Sequence, residues 1–253
     1  MKKFLFIFLS AFIIMWNVPN QVKASDEYDK LLEEYEKDEQ FQMMVKEYGE
    51  DYAKEFIGDV IAKRKEITPK KGRDGGGNIC YKYVKNIKQT KKYNCGSTTV
   101  LQTLYGMNRQ GAVSGTSDSA KIGTLDAKYN VDGQGSMYVY QVRDALNTFK
   151  SPGVGNYVYQ LGSSVTQATF EQNIATALTN AHPIILHAKT EYFSYYGGKS
   201  SGHYLSLDYV NRTSDYVRIV DCNYNNAYYG VHTNVPLSQA YKAVSASGRY
   251  YIY

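Results

Sequence analysis

The stretch that decides the fold is QTKKYNCGSTTVLQTLYG, residues 89–106. Apolar residues recur in its second half at steps of three and four, which predicts a helix over residues 95–107. Asn94 is a favourable N-cap residue, so we expect Cys95 to be the first residue of this helix. A thiol at that place feels the positive end of the helix dipole and unpaired backbone N–H groups, and both lower its pKa. Cys95 is therefore the candidate nucleophile.

Gln89 lies six residues before Cys95, in a polar loop. An anionic oxygen that forms during acyl transfer needs hydrogen-bond donors at a fixed place. The side-chain amide of Gln89 and the backbone N–H of Cys95 are two such donors. We therefore take Gln89 as a candidate oxyanion residue.

A thiol nucleophile needs a base, and the base needs an acceptor that orients it. Among the four histidines, His203 follows a glycine and opens an alternating strand pattern over residues 203–210. The next strand pattern covers residues 216–221 and ends at Asp221. If the two strands pair as a hairpin, His203 and Asp221 lie near the same end of it. Asp221 would then orient His203, with Asn223 as the alternative acceptor.

Charge divides the chain into three blocks. Residues 1–24 carry +3, residues 25–77 carry −5, and residues 78–253 carry +7. The first block begins with Lys2 and Lys3, continues with an apolar run and ends with a small residue, Ala24, before a cleavage point. This is the layout of a secretory signal peptide, so we expect a secreted or cell-surface protein with no membrane span after cleavage. An uncleaved membrane anchor is the weaker alternative.

The acidic block predicts a helical segment over residues 25–71, because its apolar residues recur at helical spacing. A helix of this kind must cover its apolar side, and docking on the basic domain of the same chain would do so. The acidic segment is therefore a candidate pro-region, stalk or oligomerisation helix. A glycine-rich linker, residues 72–78, follows it, and a catalytic domain would occupy residues 79–253.

Helices dominate the first half of that domain and strands the second half, which predicts an α+β fold with a helical half and an antiparallel sheet. Further helices are expected near 116–129, 136–149 and 166–181, and strands at 183–189, 203–210, 216–221 and near 249–253. The aromatic segment 192–201 precedes His203, and we expect it to face a substrate. The excess of tyrosine, 26 residues, suggests a polar aromatic surface.

The ordered set Gln89, Cys95-Gly96, Gly202-His203 and Val220-Asp221 resembles the papain-like cysteine peptidases. It is most similar to the bacteriocin-processing (double-glycine) peptidase family and its secreted stand-alone relatives. The resemblance covers residues 79–253 and implies a papain-like fold. It implies the roles of nucleophile for Cys95, general base for His203, orienter for Asp221 and oxyanion donor for Gln89. The family usually has Asp-Pro where this chain has Asp221-Cys222.

The resemblance implies an exported bacterial thiol protease that hydrolyses peptide bonds of a peptide or protein substrate through an acyl-enzyme thioester. Two alternatives stay open, an acyl transferase or amidase acting on cell-wall peptide, and an inactive wall- or surface-binding protein of the same fold. No cofactor, metal site or nucleic-acid partner is expected. Cys80 and Cys222 are candidates for a disulfide, and Gly75–Gly77 is either a self-processing site or a plain linker.

Overall fold

The computed structural model describes residues 79–246 and 248–253, together with residues 30, 32, 33, 36, 37, 41, 42, 45, 50, 51, 53 and 54. The expected signal peptide, the glycine-rich linker and most of the acidic segment lie outside the described residues. Within the described part of the chain, no helix is long and apolar enough to span a bilayer.

Seven strands form one sheet in which every pair of neighbours is antiparallel. The strand order is β2-β7-β3-β4-β5-β6, and β1 pairs with the far end of β4. The strands are β1 (Ile79–Tyr81), β2 (Tyr159–Leu161), β3 (Ile184–Lys189), β4 (Gly202–Asn211), β5 (Tyr216–Asp221), β6 (Gly230–Pro236) and β7 (Tyr250–Ile252).

Six α-helices of the domain accompany the sheet among the residues that the structure describes after residue 78. They are α1 (Cys95–Gly106), α2 (Asp118–Lys128), α3 (Val131–Gln134), α4 (Val139–Phe149), α5 (Gln167–Thr179) and α6 (Leu237–Ser245). The expected mixture of helices and antiparallel sheet is confirmed. The helix expected near 136–149 begins later, at Val139, because Tyr138 is extended and caps it together with the Gln141 side chain.

The sheet is buried on both faces, as the side chains of β3 illustrate, because they point alternately to the two faces. Ile184 and Leu186 belong to one apolar cluster with residues of α5 and α6. Ile185 belongs to a second cluster with residues of α1, α2 and α4. Successive side chains of a strand point to opposite faces, so a strand covered by helices on both sides is apolar throughout. The antiparallel sheet therefore lies between two layers of helices.

The sequence patterns did not indicate β1, β2, β6 or α6. Strands β1 and β2 have three residues each, too few for a period to be read. Strand β2 is defined by its long-range pairing with β7, where Tyr159 faces Ile252. Tertiary contact rather than local pattern makes these strands.

The described residues of the acidic segment are helical apart from a turn at residue 37. Phe41 and Ala53 are buried, and they belong to the same apolar cluster as Val100 and Leu101 of α1. Lys54 forms ion pairs with Glu36 and Glu50 on the outside of the segment. The segment thus contributes apolar side chains to the core beside α1.

The prediction of a polar tyrosine surface is correct for only part of the tyrosines. The largest fully buried side chains include five tyrosines, residues 140, 157, 159, 250 and 251. Others, such as Tyr81, Tyr83 and Tyr224, are exposed. Buried tyrosine is accommodated because its hydroxyl finds a partner, as where Asn173 Nδ2 donates to Tyr251 Oη at 2.7 Å.

Candidate active site

Cys95 is the first residue of α1, and its side chain is almost buried, with 8% of the residue exposed. Gly96 follows it at a point where a Cβ would come within 2.8 Å of the Met137 Cβ. Glycine therefore lets the start of α1 approach the chain beside Met137. First-turn amides have no partner within their helix, so the backbone N–H of Cys95 remains available to a bound group.

Asn94 precedes α1, but its side chain does not cap the helix. Its Oδ1 accepts from the backbone N–H of Lys91 at 3.0 Å, and its Nδ2 donates to the Asp126 carboxylate at 3.0 Å. The expected side-chain cap is wrong, because the amide is used to close the loop and tie it to α2. The position of Cys95 at the start of the helix is nevertheless as expected.

His203 and Asp221 lie on the adjacent strands β4 and β5, near the end of the sheet where Cys95 lies. His203 Nε2 is 2.9 Å from Asp221 Oδ1. The same imidazole lies close enough to the thiol of Cys95 for each group to shift the pKa of the other. Asp221 is fully buried and His203 nearly so. The thiol, the imidazole and the carboxylate are therefore neighbours, with the imidazole in the middle.

The electrostatics of this group favour a charge-separated thiol and imidazole. Burial raises the pKa of the Cys95 thiol, but the charge and hydrogen bond of His203 outweigh burial and leave that pKa below its usual value. Burial lowers the pKa of His203, but the Cys95 thiolate and the bond to Asp221 raise it well above its usual value. The two groups titrate as a pair, and between their two pKa values the pair is a thiolate beside an imidazolium.

Asp221 is held by donors other than His203. Tyr196 Oη donates to Oδ2 at 2.7 Å, Tyr195 Oη lies 3.4 Å from the same oxygen, and the Asn223 backbone N–H donates to Oδ1 at 2.8 Å. Asn223 Nδ2 donates to the Tyr196 hydroxyl at 2.8 Å. The structure thus places Asp221 against His203, and Asn223 behind Asp221. These donors fix the orientation of the Asp221 carboxylate beside His203.

Gln89 is almost buried and lines the same cleft as Cys95. Its Nε2 donates to the carbonyl oxygen of Lys91 at 2.7 Å, which uses one of its two N–H groups. Its backbone N–H donates to the carbonyl oxygen of Cys222 at 2.7 Å. The structure therefore brings all four candidate residues, Gln89, Cys95, His203 and Asp221, to one place.

The cleft at this place has a volume of about 570 Å³. Small residues line part of it, and two exposed rings, Tyr93 and Tyr224, stand at its edge. Among the described residues that line it there is one lysine, Lys92, and no carboxylate. The lining consists of Gln89, Lys92, Tyr93, Cys95, Gly135, Ser136, Ser201, Gly202, His203, Asn223, Tyr224 and Asn225.

The aromatic segment 192–201 does not line the cleft as expected. Of its residues, only Ser201 does so in the described lining. Phe193 and Tyr196 are buried, and two short 3-10 turns at Thr190–Tyr192 and Ser194–Tyr196 fold the segment back on itself. Tyr195 and Tyr196 reach Asp221 instead. Their role was missed because no periodic pattern marks turns of three residues.

The remaining histidines pack against aromatic rings. His182 contacts the Tyr157 ring, His187 of β3 stacks on the Tyr204 ring, and His232 stacks on Tyr195. All three cysteines are buried, and none of them forms a disulfide. Cys80 lies beside Thr179, whereas Cys222 lies beside Gln89, so the open disulfide pairing does not form in this structure. No cluster of metal-ligating side chains occurs among the described residues.

No protein-family model matches the chain, and no curated protein matches it either. Among solved structures, the chain is similar to a fragment of prointerpain A from Prevotella intermedia, with a TM-score of 0.48 and 11% sequence identity. The match covers 78% of this chain and 80% of that fragment. A TM-score below 0.5 does not establish a common fold, so the functional argument rests on the side chains described above.

Proposed function

We propose that the protein is an exported cysteine peptidase of papain-like type that hydrolyses peptide bonds through an acyl-enzyme thioester. The observation that carries this proposal is the grouping of Cys95, His203 and Asp221 beside an open cleft, with His203 hydrogen-bonded to Asp221 and electrostatically linked to Cys95. A nucleophile, a base and an orienting acceptor within reach of one another are what acyl transfer requires.

The first half of the reaction begins from the thiolate and the imidazolium. A peptide carbonyl carbon lies against Cys95, and the thiolate adds to it, so the carbonyl oxygen becomes an anion. We assign the backbone N–H of Cys95 and the second N–H of Gln89 Nε2 as the donors that receive that oxygen. His203 then gives its proton to the leaving nitrogen. The amine departs, and the acyl group remains on sulfur as a thioester.

The second half of the reaction returns the enzyme to its starting state. A water molecule takes the place of the amine, and neutral His203 accepts a proton from it as it attacks the thioester carbon. The same donors hold the second oxyanion. The carbon–sulfur bond then breaks, the acid product leaves, and the thiolate lies again beside the imidazolium. Asp221 keeps the imidazole turned towards sulfur in both halves.

Two further observations support this assignment. The sequence of candidate residues resembles the papain-like peptidases in order and spacing, and the signal-peptide pattern of residues 1–24 supports export. The cleft is open, and the exposed rings of Tyr93 and Tyr224 among its lining residues offer contacts to a bound peptide. The rim lysine, Lys92, favours substrates that are neutral or acidic near the scissile bond, because like charges repel.

The experiment is a digest of a mixed peptide library by the full exported chain, read by mass spectrometry. The Cys95→Ala variant should lose at least about 10⁴-fold in rate, as expected for loss of a nucleophile. Cys80→Ala is the matched control, since Cys80 is also a buried cysteine outside any disulfide but lies on β1 beside Thr179. Equal cleavage by the wild type and Cys95→Ala would show that the proposal is wrong.

A further inference from the structure

Cys222 is fully buried next to Asp221, and the mechanism above does not use it. Its Sγ lies where three oxygens converge. These are Gln89 Oε1 at 3.7 Å, the Cys95 carbonyl oxygen at 3.7 Å and the Tyr204 carbonyl oxygen at 3.6 Å. One thiol proton thus has three acceptors, and one of them belongs to the candidate oxyanion residue.

The thiol of Cys222 is a donor over the whole working range of pH. Burial raises its pKa to about 12, against the opposing effect of the nearby His203. A neutral thiol carries one S–H donor. Cys222 therefore differs from Cys95, whose thiolate can only accept.

Of the three acceptors, Gln89 Oε1 depends most on this donor. The Cys95 carbonyl oxygen already accepts from Thr99 Oγ1 at 2.9 Å, inside α1. The Tyr204 carbonyl oxygen belongs to β4, where Tyr204 pairs with His187 of β3. Within the described part of the chain, no other donor reaches Gln89 Oε1. A buried amide oxygen without a donor is costly, so the thiol fixes which end of the amide faces it.

We propose that Cys222 is a positioning residue that holds Gln89 with its amide nitrogen, rather than its amide oxygen, directed towards the developing oxyanion. This inference rests on the proposed function and extends it to a residue outside the three-residue group. Cys222 also lies beside the His203 ring, but the role proposed for it is exerted through Gln89.

The geometry gives the reason. A side-chain amide presents a donor at one end and an acceptor at the other, and rotation by half a turn exchanges them. With Oε1 on the Cys222 thiol and Nε2 on the Lys91 carbonyl, one N–H remains free. In the exchanged orientation, Oε1 would face the Lys91 carbonyl oxygen, which is also an acceptor. A lone pair of Oε1, rather than an N–H group, would then face the oxyanion. The hydrogen bond from the Gln89 backbone N–H to the Cys222 carbonyl oxygen keeps the two residues next to each other.

The test compares four variants of the full chain with the wild type: Cys222→Ala, Cys222→Ser, Gln89→Ala and the double variant Gln89→Ala with Cys222→Ala. For each, kcat and KM are measured on one cleaved peptide, and the rate at which iodoacetamide alkylates Cys95 is measured against pH. Thermal unfolding of each variant shows whether it is folded. Cys222→Ser keeps a donor at the same place and covers the case in which the alanine variant fails to fold.

The proposal expects Gln89→Ala to lower kcat by about 10²- to 10³-fold, the usual loss of an oxyanion donor. Cys222→Ala should lower kcat by about 3- to 10-fold with KM unchanged, the value of one hydrogen bond. Cys222→Ser should recover at least part of that loss. The double variant should be no slower than Gln89→Ala alone, because Cys222 acts only through Gln89. The alkylation profile should match the wild type in every variant.

Three results would overturn the proposal. Full kcat in Cys222→Ala, or losses that multiply in the double variant, would show that Cys222 does not act through Gln89. A shifted alkylation profile in Cys222→Ala would show that it acts on His203 instead, which it also contacts. These results leave the proposed function standing. A wild type that cleaves no peptide would overturn the proposed function, and this inference with it.

Discussion

Two buried histidines on adjacent strands behave in opposite ways. His187 lies on β3 and His203 on β4, one residue apart in register, and both are more than nine-tenths buried. Burial, the Arg249 cation and the nearby His203 lower the pKa of His187 to about 3. The pKa of His203 is raised well above the usual value, although burial acts against it in the same way.

The difference comes from the partners. His187 stacks on the Tyr204 and Tyr250 rings, and its Nε2 lies 3.2 Å from Arg249 Nη1, so it can accept a hydrogen bond only as a neutral ring. His203 has the Asp221 carboxylate and the Cys95 thiol instead. Burial alone disfavours a charged imidazole, and a buried counter-charge reverses that preference. The same sheet thus holds one neutral structural histidine and one charged candidate base.

The largest expected effect separates the two histidines by activity. His203→Ala should lower kcat/KM for peptide cleavage by at least about 10⁴-fold, because nucleophile and base act as one unit. His187→Gln should stay within about tenfold of the wild type, because it keeps an acceptor for Arg249 and touches no reacting atom. Peptide hydrolysis measured on both variants checks this. Equal losses of kcat/KM in the two variants would contradict the assignment of His203 as the base and His187 as a structural residue.

Replacing the counter-charge is the next largest effect. Asp221→Asn should lower kcat by about 10²- to 10⁴-fold, since the imidazole loses its anionic acceptor and its orientation. The pKa of His203 should fall at the same time, which NMR titration of the ring measures. Asn223→Ala is the control, and it should cost far less because Asn223 reaches Tyr196 and only its backbone reaches Asp221. The reverse order of the two losses would make Asn223 the orienter.

A smaller effect is expected from the tyrosine behind the carboxylate. Tyr196→Phe removes the 2.7 Å donor to Asp221 Oδ2 and leaves the ring in place. One hydrogen bond to a charged group corresponds to a loss of about tenfold in kcat. Steady-state kinetics measures this loss, and an unchanged kcat would mean that the remaining donors hold Asp221 without Tyr196.

The smallest effect concerns stability rather than activity. The folded-state pKa of His187 is about 3, while an unfolded histidine titrates near 6.5. The unfolded chain binds this proton more tightly than the folded chain. The contribution of neutral His187 to the free energy of unfolding is therefore fully present above pH 6.5 and is lost as the pH falls towards 3. Urea unfolding at pH 7 and pH 4.5 should therefore show a larger loss of stability for the wild type than for His187→Gln. Equal losses would place His187 in a protonatable site.

Part of this arrangement could be predicted from the sequence. Helical spacing set the start of α1 at Cys95, and alternation in two neighbouring strands predicted that His203 and Asp221 would lie near one end of a hairpin. These features are local or follow from a single hairpin, so periodicity is enough to predict them.

The rest depends on contacts between distant parts of the chain. The donors from Tyr195 and Tyr196 to Asp221 need two short turns to fold back, and no sequence period marks such turns. The Asn94 side chain serves Asp126, 32 residues away, rather than its own helix. Cys222 looked like a candidate for a disulfide because only its residue type was visible, whereas its neighbours are Gln89 and Cys95. Side-chain direction after folding decides each of these.

The most direct test of the charged Cys95–His203 pair is the pH dependence of Cys95 alkylation by iodoacetamide, compared between the wild type and His203→Ala. Cys95 is followed by mass spectrometry of its own peptide, so Cys80 and Cys222 do not contribute. The account predicts that the wild type reacts rapidly from a pH well below the usual cysteine pKa, and that His203→Ala moves the inflection up to about 8.5 or higher. Identical profiles with an inflection in the usual range would contradict it.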